Sequence, residues 1–137
     1  MKLNNSLAQS DKLTELQKRR ARHAITEDVR TLAATEALER GDFVTFGRMM
    51  NESHNSLRDD FEVSTVELDQ LVELARGCPG VLGSRMTGGG FGGCTVTLVR
   101  RDAIEQLRAT IEQNYSGQNK ATFYVAQAAD GAKIIDL

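Results

Sequence analysis

The feature that most constrains the fold is the stretch MTGGGFGG (residues 86–93), in which five of eight residues are glycine. Glycine costs backbone entropy on folding, so a dense run marks left-handed dihedrals or a backbone that another surface approaches closely. The flanking segments VLGSRMT (81–87) and CTVTLV (94–99) have the composition of strands, the second with alternating β-branched residues. The sequence therefore predicts a glycine-rich connection between two strands.

The context of this run excludes the best-known phosphate loops. Gly88, Gly90 and Gly93 formally satisfy G-x-G-x-x-G, but a dinucleotide fingerprint opens a helix, and here a strand follows. No Lys-Ser or Lys-Thr completes a Walker A loop, and the chain lacks the other protein-kinase motifs. A concavity of backbone N–H groups remains, which could receive anionic oxygens or brace a neighbouring phosphate loop. The alternative is a tight hairpin without a ligand, although ordinary hairpins need only one or two glycines.

The first half of the chain has helical periodicity. Apolar residues follow three- and four-residue steps through residues 13–33, which predicts one long helix or two joined helices. Gly41 is placed to end this segment and Asp42 to cap a second helix. The apolar face of that helix carries Phe43, Phe46, Met50 and Leu57. STVE (64–67) has the form of a capping box and predicts a third helix that ends at Gly77.

The second half changes to strand periodicity after Gly80. A short helix capped by Asp102 is predicted after the two strands, and TFYVAQA (122–128) predicts a further strand. KIIDL (133–137) leaves room for a short last strand. Helices followed by strand, loop, strand, helix and strand predict an α+β domain, with helices packed on one face of a small antiparallel sheet.

Composition is typical of a single cytoplasmic domain. The 137 residues are 40% hydrophobic with a net charge of −2, so nothing indicates a nucleic-acid or membrane partner. The basic tract KRRAR (18–22) keeps apolar residues at helical spacing around it, which favours the solvated side of a helix. Cys78 and Cys94 form no CxxC pair, so neither a metal site nor a disulfide framework is predicted. The first ten residues lack the apolar core of a signal peptide.

Other polar residues form no complete catalytic set. His54 is expected to be a polar helix residue rather than a catalyst, and it lacks the spacing of a paired metal ligand with His23. Asp59 and Asp60 are adjacent carboxylates that could bind a metal, but acids at a helix end usually face solvent. No serine has the surroundings of an activated nucleophile. The residues alone therefore predict no catalytic and no metal-binding residue.

Three segments, in order, resemble the galactokinases of the GHMP small-molecule kinases. GSRMTGGGFGGCTVTLV (83–99) is similar to the third conserved motif of that family, and ESHNSLRDDFEVSTVELDQLVELA (52–75) to the segment upstream of it. RRARHAITEDVRT (19–31) is similar to the helix that begins the C-terminal half of the family. The combination is more specific than the glycine motif alone, which indicates only the superfamily.

The resemblance implies a GHMP kinase C-terminal domain over residues 1–137, an α+β fold with a ferredoxin-like antiparallel sheet packed against helices. It also implies ATP-dependent phosphorylation of galactose at C1, with Mg-ATP as the cofactor of the complete enzyme. In galactokinases the third motif lies at the cleft between domains and supports the nucleotide loop and the bound substrates. The matching residues are Thr87, Gly88, Gly89, Gly90, Phe91, Gly92 and Gly93. The resemblance implies that they contribute backbone donors and close packing.

The other conserved motifs of the family have no counterpart in the sequence. Neither the sugar signature resembling GRVNLIGEHTDY nor the loop resembling PxGxGLSSSA occurs, so no residue matches the family's catalytic residues or magnesium ligands. We therefore expect the chain to act with an N-terminal GHMP domain, to be inactive alone, and to form dimers at high concentration. The alternatives are a stand-alone binding or sensor domain, and part of a kinase for another sugar.

Overall fold

The computed structural model of the protein describes residues 12–131. Its helices are α1 (Glu15–Glu39), α2 (Phe43–Ser56), α3 (Val66–Arg76) and α4 (Ile104–Asn114), and its strands are β1 (Val81–Thr87) and β2 (Cys94–Val99). A π-helical turn (Leu57–Phe61) continues α2, and a 3-10 turn (Arg101–Ala103) precedes α4. The predicted α+β class, the order of elements as far as α4 and the bounds of both strands are confirmed.

Side-chain caps set the ends of the first two helices. The Thr14 hydroxyl accepts the Gln17 N–H at 3.2 Å, and the Gln17 side chain accepts the Thr14 N–H at 2.9 Å, a complete capping box. Gly41 has a φ of 69° and ends the segment that contains α1. Asp42 caps α2 by accepting the Thr45 N–H at 3.0 Å. The first half therefore contains one long helix and a second helix, and Gly41 and Asp42 separate them as predicted.

Two predicted caps are wrong. The residue that caps α3 is Thr65, whose hydroxyl accepts the Leu68 N–H at 3.3 Å, whereas Ser64 donates to the Asp69 carboxylate. Asp102 does not cap α4, because it lies inside the 3-10 turn that precedes the helix. In both cases the pattern identified the helix but misplaced its first residue.

The free edge of β1 lies against α2 instead of a third strand. β1 and β2 pair antiparallel, which leaves alternate backbone groups of β1 pointing away from β2. The Ser84 N–H donates to Asn51 Oδ1 at 2.9 Å, and the Met86 N–H donates to His54 Nδ1 at 3.1 Å. Arg76 of α3 donates to the Ser84 carbonyl at 3.2 Å. Side chains of α2 and α3 thus form the hydrogen bonds with the β1 backbone that a neighbouring strand would otherwise form.

Two glycines allow this close approach of helix and strand. A Cβ added at Gly47 would lie 2.2 Å from the Leu82 carbonyl oxygen, and one added at Gly83 would lie 2.2 Å from the Gly47 carbonyl oxygen. Neither position has room for a methyl group, so α2 and β1 pack backbone to backbone. The sequence pattern did not predict this close packing at either glycine.

The strand predicted at residues 122–128 is not formed, since residues 115–131 contain neither helix nor strand. The segment has strand composition, but within residues 12–131 the sheet has two strands, and this segment pairs with neither of them. Phe123 packs near α4, whereas Tyr124 and Val125 are largely exposed. The KIIDL segment lies outside the described residues.

The core forms two clusters on either side of α3. One consists of Leu57, Val63, Leu68 and Met86. The other, between α3 and α4, consists of Ala75, Cys78, Leu107 and Ile111. Met50 and Leu57 are buried as their pattern suggests, but Phe43 is half exposed at the start of α2. No helix in the described part of the chain is long and apolar enough to cross a membrane.

Candidate functional site

The glycine loop, residues 88–93, joins β1 to β2 at one end of the hairpin. Its backbone is left-handed at five positions, namely Gly88 (φ 83°), Gly90 (82°), Phe91 (60°), Gly92 (128°) and Gly93 (101°). L residues with a Cβ rarely adopt such dihedrals, whereas glycine does so at no steric cost. The number of glycines in the motif is therefore largely explained by the path of the loop.

One point of the loop packs against the segment that precedes α3. The Phe91 N–H donates to the Val63 carbonyl at 2.7 Å. A Cβ at Gly90 would lie 2.2 Å from the same carbonyl oxygen. Val63 is itself buried beside Met86 at the base of the hairpin. This contact ties the centre of the loop to the core.

The remaining glycines face open space. A Cβ added at Gly88, Gly89, Gly92 or Gly93 would meet no atom within 4 Å. Gly88, Gly92 and Gly93 still require glycine because of their dihedrals, but Gly89 lies outside the left-handed region. Neither a left-handed φ nor the packing of the described residues accounts for a glycine at position 89. We call these four open glycines the bare strip.

His54 supports the base of the loop. Its side chain is 1% exposed, and its Nδ1 accepts the Met86 N–H, so the ring proton is on Nε2, which donates to Asp69 Oδ1 at 3.0 Å. Burial, together with the nearby Arg76 charge, lowers the pKa of His54, while Asp69 acts in the opposite direction. His54 is therefore a neutral bridge between α2, β1 and α3, a contact for which the sequence carried no signal.

Thr87 lies at the end of β1, exposed, where it lines a groove of about 430 Å³ between α1, α2 and the hairpin. Arg85 lines the same groove, and its Nε donates to the Met86 carbonyl at 3.0 Å. Arg30 also lines the groove, where it pairs with Glu27. The matched motif thus combines a threonine at a groove with the bare strip beyond it.

Asp59 and Asp60 lie against the basic tract at residues 18–22. Asp59 pairs with Arg58 at 2.7 Å, which lowers the pKa of the Asp59 carboxyl, and Asp60 pairs with Arg22 at 2.6 Å. Within residues 12–131, no three His, Cys, Asp or Glu side chains stand together as a metal site would require. The tract at 18–22 is not simply solvated, since its arginines contact the π-helical turn and Glu62.

Comparison with known proteins gives one family. The family model described as GHMP kinases C terminal matches residues 34–117. Galactokinases of Bos taurus and Homo sapiens are 61% and 60% identical to the chain over 117 and 119 residues, which are 85% and 87% of this chain. These regions are 29% and 30% of the two relatives, so the chain spans about a third of their length.

Solved structures have the same fold. The galactokinase of Lactococcus lactis complexed with galactose matches with a TM-score of 0.79 and 43% identity, over 84% of this chain and 30% of that chain. The L. major mevalonate kinase in complex with R-mevalonate matches with a TM-score of 0.58 and 29% identity, over 63% and 26%. The family-model match includes the hairpin and the whole glycine loop.

Proposed function

The chain belongs to the GHMP kinases, which it matches through their C-terminal domain, and from this premise we propose that it is the C-terminal part of a galactokinase-like sugar kinase. The complete enzyme would transfer the γ-phosphoryl group of ATP to the C1 hydroxyl of galactose. This chain would supply the glycine-rich wall of the cleft, formed by Thr87, Gly88, Gly89, Gly90, Phe91, Gly92 and Gly93.

The observation that carries this role is the glycine at position 89. The described residues leave room for a side chain there, and the φ of Gly89 is not in the left-handed region. A glycine at such a point is explained if a second surface approaches the backbone to contact distance. A phosphate loop with its nucleotide could contact the bare strip directly, because the four glycines have no side chains that would keep the two backbones apart.

Mg-ATP would supply the transferable phosphoryl group and the cation that offsets its charge. The residues of this chain would contribute contact and positioning, which is a large part of phosphoryl-transfer catalysis. The catalytic side chains and the magnesium ligands would belong to an N-terminal GHMP domain. The 137-residue chain alone would therefore phosphorylate no galactose, and turnover by the purified chain would contradict the proposal.

A chimaeric enzyme tests the role of the loop. In it, this chain replaces the 30% of human galactokinase that it matches, and ATP-dependent phosphorylation of galactose is measured. Gly89→Ala should lower the rate by about ten- to a hundredfold, because a misplaced contact surface disturbs the reacting groups. Gly77→Ala is the matched control: its Cβ would make only ordinary contacts at 3.6 Å, and its dihedral is not left-handed. Equal rates for the two variants would refute the proposed contact.

Two alternatives remain open to test. The mevalonate kinase match indicates that this domain fold serves kinases with other substrates. Another sugar would therefore be phosphorylated if the proposed N-terminal domain selects it. A stand-alone binding or sensor domain is the second alternative. An immunoblot of source cells separates it from the first proposal: a band of about 15.0 kDa would favour the free-standing domain, and a band of about three times that mass would favour the kinase.

A further inference from the structure

Glu62 lies between the basic tract of α1 and the glycine loop. Its backbone is left-handed, with φ 60° and ψ 43°, although it carries a side chain. Glu62 is the C-cap of the π-helical turn: its N–H and the Val63 N–H both donate to the Leu57 carbonyl. For a residue with a side chain, such a conformation persists where surrounding contacts determine it. The residue that follows Glu62 is Val63, which holds the loop.

Two arginines of α1 hold the Glu62 carboxylate. Arg19 binds it with both terminal nitrogens, Nη1 to Oε1 at 3.0 Å and Nη2 to Oε2 at 3.2 Å, and Arg20 Nη2 donates to Oε2 at 2.7 Å. A two-pronged arginine–carboxylate pair specifies direction as well as distance. The two arginines lower the pKa of Glu62, so its carboxylate stays charged.

The same arginines also bind the turn that leads to Glu62. Arg19 Nη1 donates to the Asp59 carbonyl at 3.3 Å, and Arg20 Nη1 donates to the Asp60 carbonyl. Arg20 in addition lies over the Phe61 ring, 5.9 Å from its centroid. The segment 59–62 is therefore held against α1 by its backbone, by an aromatic ring and by the Glu62 side chain together.

We propose that Glu62 is a positioning residue for the glycine loop. The C-cap bonds to the Leu57 carbonyl set the left-handed backbone of Glu62, and the arginines fix its side chain against α1. Together they aim the Val63 carbonyl at the Phe91 N–H, 2.7 Å away, beside Gly90. α1 thus acts on the loop through Glu62 and the residue that follows it, Val63. A contribution of this positioning to phosphoryl transfer rests on the proposed function. The positioning of the loop itself depends only on contacts within this chain.

Amide hydrogen exchange of the 137-residue chain, followed residue by residue by NMR, tests the positioning. Glu62→Ala should speed exchange of the Phe91 amide by about tenfold or more, since the backbone loses its anchor and keeps its strain. The Met86 amide, which is bonded to His54 in the core, should keep its wild-type rate. Glu112→Ala is the matched control, because it removes another carboxylate paired with an arginine, Arg108, on a helix remote in sequence from the loop.

A second variant covers the case in which Glu62→Ala does not fold. Glu62→Gly accepts the left-handed dihedral without strain but cannot bind the arginines. Its more flexible backbone, without the side-chain anchor, should still speed Phe91 exchange, by less than Glu62→Ala does, while the fold is kept. An unchanged Phe91 rate in the folded variants would overturn the proposal. So would equal acceleration of Phe91 and Met86, which would show general destabilisation. None of these outcomes depends on nucleotide binding, so failure of the proposed function would be seen separately in the chimaeric enzyme.

Discussion

Replacing His54 with alanine should remove a large part of the stability of the domain. The imidazole is 1% exposed, accepts the Met86 N–H and donates to Asp69. Its loss leaves the Met86 N–H buried without this acceptor, which costs about 1–3 kcal/mol. The space left between α2 and β1 adds about 2 kcal/mol. We expect the free energy of unfolding to fall by about 3–5 kcal/mol, a large share of the total for a domain of this size.

The same side chain predicts how stability depends on pH. Burial and Arg76 lower the pKa of His54 in the folded chain, whereas a histidine in the unfolded chain titrates at about 6.5. The unfolded state therefore binds the proton first as the pH falls. The contribution of His54 is complete above about pH 6.5 and declines below it, by at most about 1.4 kcal/mol for each pH unit.

Urea unfolding at about pH 7.5 and about pH 5.5 measures both effects. His54→Gln keeps a polar side chain without a proton to gain, so acidification should destabilise this variant less than the wild type. His23→Gln is the control, because it removes the other histidine of the chain and should leave the contribution of His54 in place. If His54→Gln lost as much stability on acidification as the wild type, the buried neutral imidazole would not be the cause.

Two further outcomes follow from packing and from the sheet edge. Gly47→Ala should lower the free energy of unfolding by about 1–3 kcal/mol or more, because its Cβ would overlap the Leu82 carbonyl. Gly77→Ala, whose Cβ would make only ordinary contacts, should not, and thermal unfolding of the two variants compares them. The outer edge of β2 should pair chains at high concentration, as seen by light scattering, because Thr95 turns its backbone groups away from β1. Thr95→Pro should weaken this association, and equal dimer fractions would exclude the edge.

Local chemistry explains what could be predicted for the candidate site. The hairpin and its glycine loop follow from alternating residues on both sides of a glycine run, and the structure has both strands at the predicted bounds. The resemblance identified the residues of the loop, but not what holds them. Val63, Glu62 and Arg19 are 28 or more positions away from Phe91, and no pattern of spacing links them.

The sequence by itself determined the order of the elements as far as α4, the bounds of both strands and the family. Those features depend on caps, periodicity and a glycine motif, all of which act within a few residues. Only the tertiary structure decided that α2 covers the edge of β1, that residues 122–128 form no strand, and that Glu62 is left-handed. Each depends on partners far apart in the chain, because a backbone group is satisfied by whatever donor or acceptor the fold brings to it.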